Sequence, residues 1–139
     1  MALPNPAPRT DAGLLVLRLV VGVLLLMHGI SKVQHGVAWI GGPLSAVGLP
    51  SYLAYGAYIG EILAPLLLII GLWTRLAALV IMVDMIMAIV LVRHGDIGKI
   101  GMSGGWAIEL EALFLFGALA IALAGGGRFA PGKPATARR

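Results

Sequence analysis

The sequence predicts an all-α integral membrane four-helix bundle, and three observations carry that prediction. Of 139 residues, 60% are apolar and only 12% are charged, about half the charged share of a soluble domain. A soluble fold of this size buries only roughly 70% of the surface that its unfolded chain exposes, so it would leave much apolar surface in water. The apolar residues gather into four runs, near 13–32, 52–73, 76–92 and 106–124. Each is about long enough to cross a bilayer core as a helix. The formal charge of +4 sits at the ends of these runs, as in membrane proteins, so no nucleic-acid partner is expected.

Residues 1–12 contain Pro4, Pro6 and Pro8 and read as a disordered N-terminus. The first run, from Gly13 to Lys32, is interrupted by Arg18 and His28. It is too long for the apolar region of a signal peptide and is read as a retained span. Gly41-Gly42-Pro43 and Gly48-Leu49-Pro50 break helices, which makes residues 33–50 a loop. The second run carries Glu61, and Pro65 lacks the N–H that would bond the Glu61 carbonyl. A kink is expected there. Trp73-Thr74-Arg75 leaves room only for a tight turn, so the second and third helices form an antiparallel hairpin. The third run carries Asp84 among Met82, Met85 and Met87, which read as adaptable packing. In the glycine-rich loop from Arg93 to Gly105, Gly98-Lys99 precedes Ile100, which is not a phosphate loop. The fourth run opens with Glu109 and Glu111. Residues 125–139 read as a basic disordered tail. None of the runs shows the alternation of a membrane β-barrel, and a backbone in lipid must satisfy its own polar groups, which makes each run helical.

Four spans place both termini on one side. That side collects Arg9, Arg75, Arg128, Lys133, Arg138 and Arg139, whereas the other has Lys32, Arg93 and Lys99. The positive-inside bias puts both termini in the cytoplasm. Trp39, Tyr52, Tyr55 and Trp106 then mark the outer interface and Trp73 the inner one.

All three glutamates and Asp84 fall within spans. A charge at mid-membrane costs at least ~2.5–3.5 kcal/mol, so these acids need partners or a wet cavity. Depth counted along the helices separates two layers. The inner layer is an ion-pair set of Arg18 with Asp84 and Glu61. The outer layer is His28 and Lys32 with Glu109 or Glu111. Arg18, Gly22, Leu25, Gly29 and Lys32 share one face of the first helix, where the glycines admit a neighbouring backbone. Glu109 shares a face with Leu113, Gly117, Ala120 and Ala124, and Tyr58 is within reach of Glu61. These positions predict a ligand cavity lined by His28, Lys32, Glu61 and Glu109. The competing reading is a closed, dry salt-bridge cluster that fixes helix register.

The chain has no cysteine, which excludes disulfides, thiol redox pairs and cysteine-ligated clusters. No metal site is expected. His28 and His94 are the haem-ligand candidates considered, and their loose placement argues against a haem.

Leu17-Arg18-Leu19, Gly22, His28-Gly29 and Lys32 resemble the first-helix signature of the DoxX family of small membrane proteins. Gly60-Glu61, Pro65, Gly71 and Arg75 resemble its second-helix pattern. Glu109, followed by an apolar helix and Gly125-Gly126-Gly127-Arg128, resembles its last helix and exit. The family ending continues with Ser and Asp where this chain has Phe129-Ala130-Pro131-Gly132. The resemblance implies a four-helix bundle in a prokaryotic cytoplasmic membrane. It also implies kinship with a subunit of a thiosulfate:quinone oxidoreductase. The expected function is therefore a redox-linked subunit that binds quinone or quinol and docks a soluble oxidoreductase, which would supply the redox centre. Alternatives are a small proton-coupled transporter, acting as a homo-oligomer, and an assembly factor without catalytic activity. The matching polar positions are Arg18, Lys32, Glu61 and Glu109, and no catalytic role is implied for any of them.

Overall fold

A computed structural model describes residues 7–132, so the disorder expected of residues 1–6 and 133–139 lies outside the described residues. Among the described residues the chain forms α1 (Ala7–His35), a short α2 (Ala38–Ala46), α3 (Ser51–Ile70), α4 (Thr74–Val92) and α5 (Glu109–Ala124). A 3-10 turn covers His94–Asp96, and Ile100 and Trp106 make an isolated bridge. Three helices, α1, α3 and α4, are long and apolar enough to cross a membrane. The 16 residues of α5 reach about 24 Å. This helix starts later than the expected 106–124, because the Trp106 side chain is tied to the loop by a bond to the Ile97 carbonyl, 2.7 Å.

Two further boundaries differ from the sequence reading. Residues 7–12 are helical, and residues 33–50 are not all loop, since α2 runs straight through Gly41-Gly42-Pro43. Proline there forfeits a single backbone bond. Burial of Leu44 beside Val37 and Ala54 in a small apolar cluster outweighs that loss, so packing overrides propensity.

The glycine face of α1 meets α3 as its spacing dictates. A side chain on Gly22 would meet Ile69 Cγ1 at 2.6 Å and the Pro65 carbonyl at 3.2 Å, and one on Gly29 would collide with the Glu61 carbonyl. The two helices therefore run antiparallel in close contact. The kink expected near Pro65 takes the form of a π-helical turn at Ile59–Leu63, which ends two residues before the proline that cannot donate to Glu61. A second π turn, Ala88–Val92, ends α4.

Gly71, in the left-handed region at φ 87°, closes α3, and the Leu72 N–H bonds the Leu67 carbonyl at 3.0 Å. Trp73 is left-handed too, with φ 45°, and α4 starts at Thr74. The expected tight hairpin turn is thus made. The core between the long helices holds Leu25, Leu68, Ile81, Phe114, Ala118 and Ile121. Apolar residues also cover the outside: Val16, Met27, Leu63, Val83, Leu113 and Leu123 are all well exposed. A surface this apolar suits lipid, not water.

The segment after α5 is folded, contrary to the expected disordered tail. Residues 125–132 cross the end of the bundle that also carries the α3–α4 turn and the start of α1. The Gly132 N–H bonds the Gly71 carbonyl at 3.3 Å, and the Arg128 N–H bonds Asp11 Oδ1 at 2.9 Å. Ala130 is buried. This is the terminal end of the bundle, and the opposite one is the loop end.

Candidate functional site

Lys32 lies near the last turn of α1, and its Nζ donates to Glu61 Oε1 in a short ion pair. Glu61 sits in the π turn of α3 and is only 4% exposed. The Lys32 ammonium also lies 5.9 Å from the Trp39 ring centre, a cation–π distance. Asp84 of α4 joins this pair. Its carboxyl group occupies the space where Gly60 lacks a side chain, and it feels the charges of Glu61 and Lys32. Glu61 Oε2 and Asp84 Oδ2 are buried and have no hydrogen-bond partner among the described residues. Leaving such an acceptor unpaired costs about 1–3 kcal/mol, more for a charged group.

These groups line a mainly apolar cavity of about 870 Å³ between α1, α3, α4 and α5, with α2 at its loop end. His28, Lys32 and Glu61, all expected to line a cavity, do line it. A smaller crevice of about 250 Å³ lies between α1 and α5, and its walls share His28, Ser31, Leu110 and Phe114 with the cavity. The His28 ring is exposed and stands edge-on to Phe114 at 5.9 Å.

Three expectations are corrected by the geometry. Glu109 does not line the cavity. It is exposed, with its carboxylate against Gly105, and Glu111 takes the place expected of it. The two residues lie about 200° apart around a helix, so only one can face inward. The buried face of α5 is Ala112, Phe114, Ala118 and Ile121, not the Leu113-Gly117-Ala120-Ala124 stripe, and Leu113 is 70% exposed. The 111-to-114 and 111-to-118 spacings would have pointed to Glu111.

Arg18 makes no ion pair with Asp84 or Glu61. Although fully buried, it is surrounded by carbonyl oxygens: Nε donates to Leu68 at 3.0 Å, Nη1 to Gly126 at 2.8 Å and Nη2 to Ile69 at 3.3 Å. Leu68 and Ile69 end α3, where the last carbonyls lack helical donors and the helix dipole is negative. A guanidinium with its five donors satisfies such a helix end without a carboxylate. The expected inner layer is therefore split. Arg18 belongs to the terminal end, and Asp84 joins the Lys32–Glu61 pair. Glu61 and Asp84 lie level, as their shared depth implied, and it is Lys32, expected in the outer layer, that reaches them. The third correction is Tyr58, which donates to the Lys32 carbonyl at 3.2 Å and not to Glu61.

At the loop end, Arg93 binds Asp96 Oδ2 at 3.0 Å and lies 3.9 Å from Glu111 Oε1, while Nη2 donates to the Ala107 carbonyl at 2.6 Å. Arg93 also lines the cavity. The sequence reading assigned it only to loop charge.

Similarity to known proteins agrees with this architecture. The chain is 30% identical over 122 residues to the uncharacterized membrane protein Rv3486 of Mycobacterium tuberculosis, covering 81% of this chain and 75% of that one. It is 32% identical over 83 residues to the protein named "Putative oxidoreductase CatD" of Bacillus subtilis, covering 60% of this chain and 61% of that one. An uncharacterized protein of Haemophilus influenzae is 35% identical over 105 residues, 72% of this chain and 76% of its own. No solved structure matches. The DoxX family model matches residues 13–94, which take in α2, α3 and α4, most of α1, and the Lys32–Glu61–Asp84 group; the chain is a member of the DoxX family of membrane proteins.

Proposed function

We propose that this protein is a redox-linked subunit of a prokaryotic cytoplasmic membrane that binds a quinone or quinol in the cavity and docks a soluble oxidoreductase. The observation that carries the reading is the pair of partnerless buried acceptors, Glu61 Oε2 and Asp84 Oδ2, beside Lys32 in an apolar space of about 870 Å³. A quinone site needs this combination, with apolar walls for the ring and a few convergent polar groups for its oxygens. The Lys32 ammonium, which keeps N–H groups beyond the one given to Glu61, would donate to a quinone oxygen, and the two carboxyl groups would accept from the hydroxyls of a quinol. The α1–α5 crevice is bordered by exposed Leu24 and Met27 and gives an apolar tail a route to lipid. The quinone supplies two-electron chemistry when bound, while the chain's own groups orient the ring and exchange protons with its oxygens.

The reading includes four membrane spans with both termini in the cytoplasm. The basic residues Arg9, Arg75 and Arg128 collect at the terminal end, and the positive-inside bias sets their side. It also makes the terminal end the face available to a cytoplasmic partner enzyme.

The test is quinone binding to the purified protein in nanodiscs. Menadione and decyl-ubiquinone are titrated while protein fluorescence and thermal stability are followed. Saturable binding is expected, weakened at least tenfold in Lys32→Met, which removes the ammonium donor, and altered in Glu61→Gln. Absence of saturable binding, or binding indifferent to Glu61→Gln and Lys32→Met alike, overturns the proposal.

A further inference from the structure

Resting on the quinone reading of the cavity, the geometry points to a site built for the reduced, hydroxyl-bearing form of its ligand: a hydroquinone bound through its two O–H groups to Glu61 and Asp84.

Donors and acceptors distinguish the two forms of the ligand. A quinone offers two carbonyl oxygens and accepts only, whereas a hydroquinone offers two O–H donors. In the cavity, Lys32 Nζ already donates to Glu61 Oε1. The partnerless atoms beside it, Glu61 Oε2 and Asp84 Oδ2, are carboxyl oxygens, set against the two N–H groups that Lys32 keeps, while Arg93 Nε at the loop end of the cavity faces the Asp96 carboxylate at 3.0 Å. Glu61 is only 4% exposed, so bulk water does not solvate it freely. One ammonium beside two carboxyl groups leaves the cluster acceptor-rich whichever carboxyl the lysine serves. A quinone carbonyl brought here would face carboxylate oxygens and leave them unsatisfied. A hydroxyl would satisfy them. Sites built to hydrogen-bond a ligand O–H discriminate strongly against analogues that lack it, because their own buried polar groups are then stranded.

Position supports the pairing. Gly60 makes room for the Asp84 carboxyl group beside the next residue, Glu61, so the two acceptors come from adjacent helices at one level. The π turn at Ile59–Leu63 carries Glu61, and such turns are enriched at functional sites. The remaining ring surface would lie against apolar wall residues such as Leu25, Met85 and Phe114.

Tighter binding of the reduced form raises the midpoint potential of the bound couple. For a two-electron couple, a tenfold preference corresponds to about 30 mV. A quinone bound in this site is thereby a stronger electron acceptor than the free quinone, and release of the quinol is correspondingly slower.

The experiment compares menadione with menadiol on the intact protein in nanodiscs under anaerobic conditions, with dissociation constants measured by equilibrium dialysis. Menadiol is expected to bind at least tenfold more tightly than menadione. Asp84→Asn replaces an acceptor by a group that also donates. It should bring the two constants to within about threefold, mainly by improving menadione binding, a gain that mere loss of structure would not produce. Glu61→Gln should shift the ratio in the same direction. Equal binding of the two forms, or tighter menadione binding, overturns the donor preference while leaving the quinone site standing. An unchanged ratio in both variants overturns the assignment to Glu61 and Asp84. Binding of neither form overturns the inference and the site together.

Discussion

Arg18 on the first helix donates to the carbonyl oxygen of Gly126, 108 positions later, at 2.8 Å. This bond joins α1 to the segment that follows α5 inside the bundle. It also explains a buried arginine without a carboxylate, because the other guanidinium bonds end on Leu68 and Ile69, at the negative end of α3.

Arg18→Leu should therefore lower the melting temperature sharply. It strands several buried carbonyls, at about 1–3 kcal/mol for each one left unsatisfied. Arg18→Lys should recover only part of the loss, because a compact ammonium cannot reach three carbonyls as a planar fork does. Asp84→Asn should leave the stability contribution of Arg18 unchanged. Thermal unfolding of the single and double variants checks this, and coupling between positions 18 and 84 would contradict the carbonyl cage.

Lys32→Met should destabilise the bundle by about 3–5 kcal/mol, since it leaves a buried Glu61 carboxylate without its cation. The double variant Lys32→Met, Glu61→Leu should recover most of that loss. Denaturant unfolding in mild detergent gives the comparison, and additive losses would mean that the pair does not interact.

Glycine positions on α1 should differ in tolerance. Gly29→Ala drives a methyl group into the Glu61 carbonyl, a backbone atom that cannot swing away. A loss of about 2 kcal/mol or more is expected, as for overpacking. Gly13 has open space around it, and Gly13→Ala should be neutral or stabilising by roughly 0.5–1 kcal/mol through helix propensity. Melting temperatures of the two variants decide the matter.

Membrane orientation is checked by labelling. A single cysteine at Ser103, in the loop before α5, should react with an impermeant maleimide in intact cells. One at Thr136 should react only after permeabilisation. The opposite pattern would reverse the orientation.

The helices and their packing face were largely legible because apolar runs and glycine spacing act locally. Arg18, Gly22, Leu25 and Gly29 are all buried, as their shared face implied. Lys32, Glu61 and His28 were legible as cavity residues for the same reason. The partners were harder to read. Arg18 looked like half of an ion pair because side-chain charges are visible in a sequence, whereas the carbonyls that end a helix are not. Glu109 and Glu111 could be separated only by the rotation of α5, which is fixed by where its first turn begins. The helix α2 escaped notice because Gly41-Gly42-Pro43 opposes it locally, while its stabilisation comes from Leu44 packing beside Val37 and Ala54.

The fold-back of residues 125–132 bears on how the protein is made. Translation runs from the N-terminus, so α1 enters the membrane long before Gly126 is synthesised. Until then Arg18 can find at most the two carbonyls at the end of α3, and that helix too is made later. Completion of the arginine's surroundings thus waits until the segment that follows α5 has left the ribosome. A ribosome that stops after Ala124 would release every long helix but not the segment that seals them, and quality-control proteases would meet an unfinished bundle with a charge exposed at its seam.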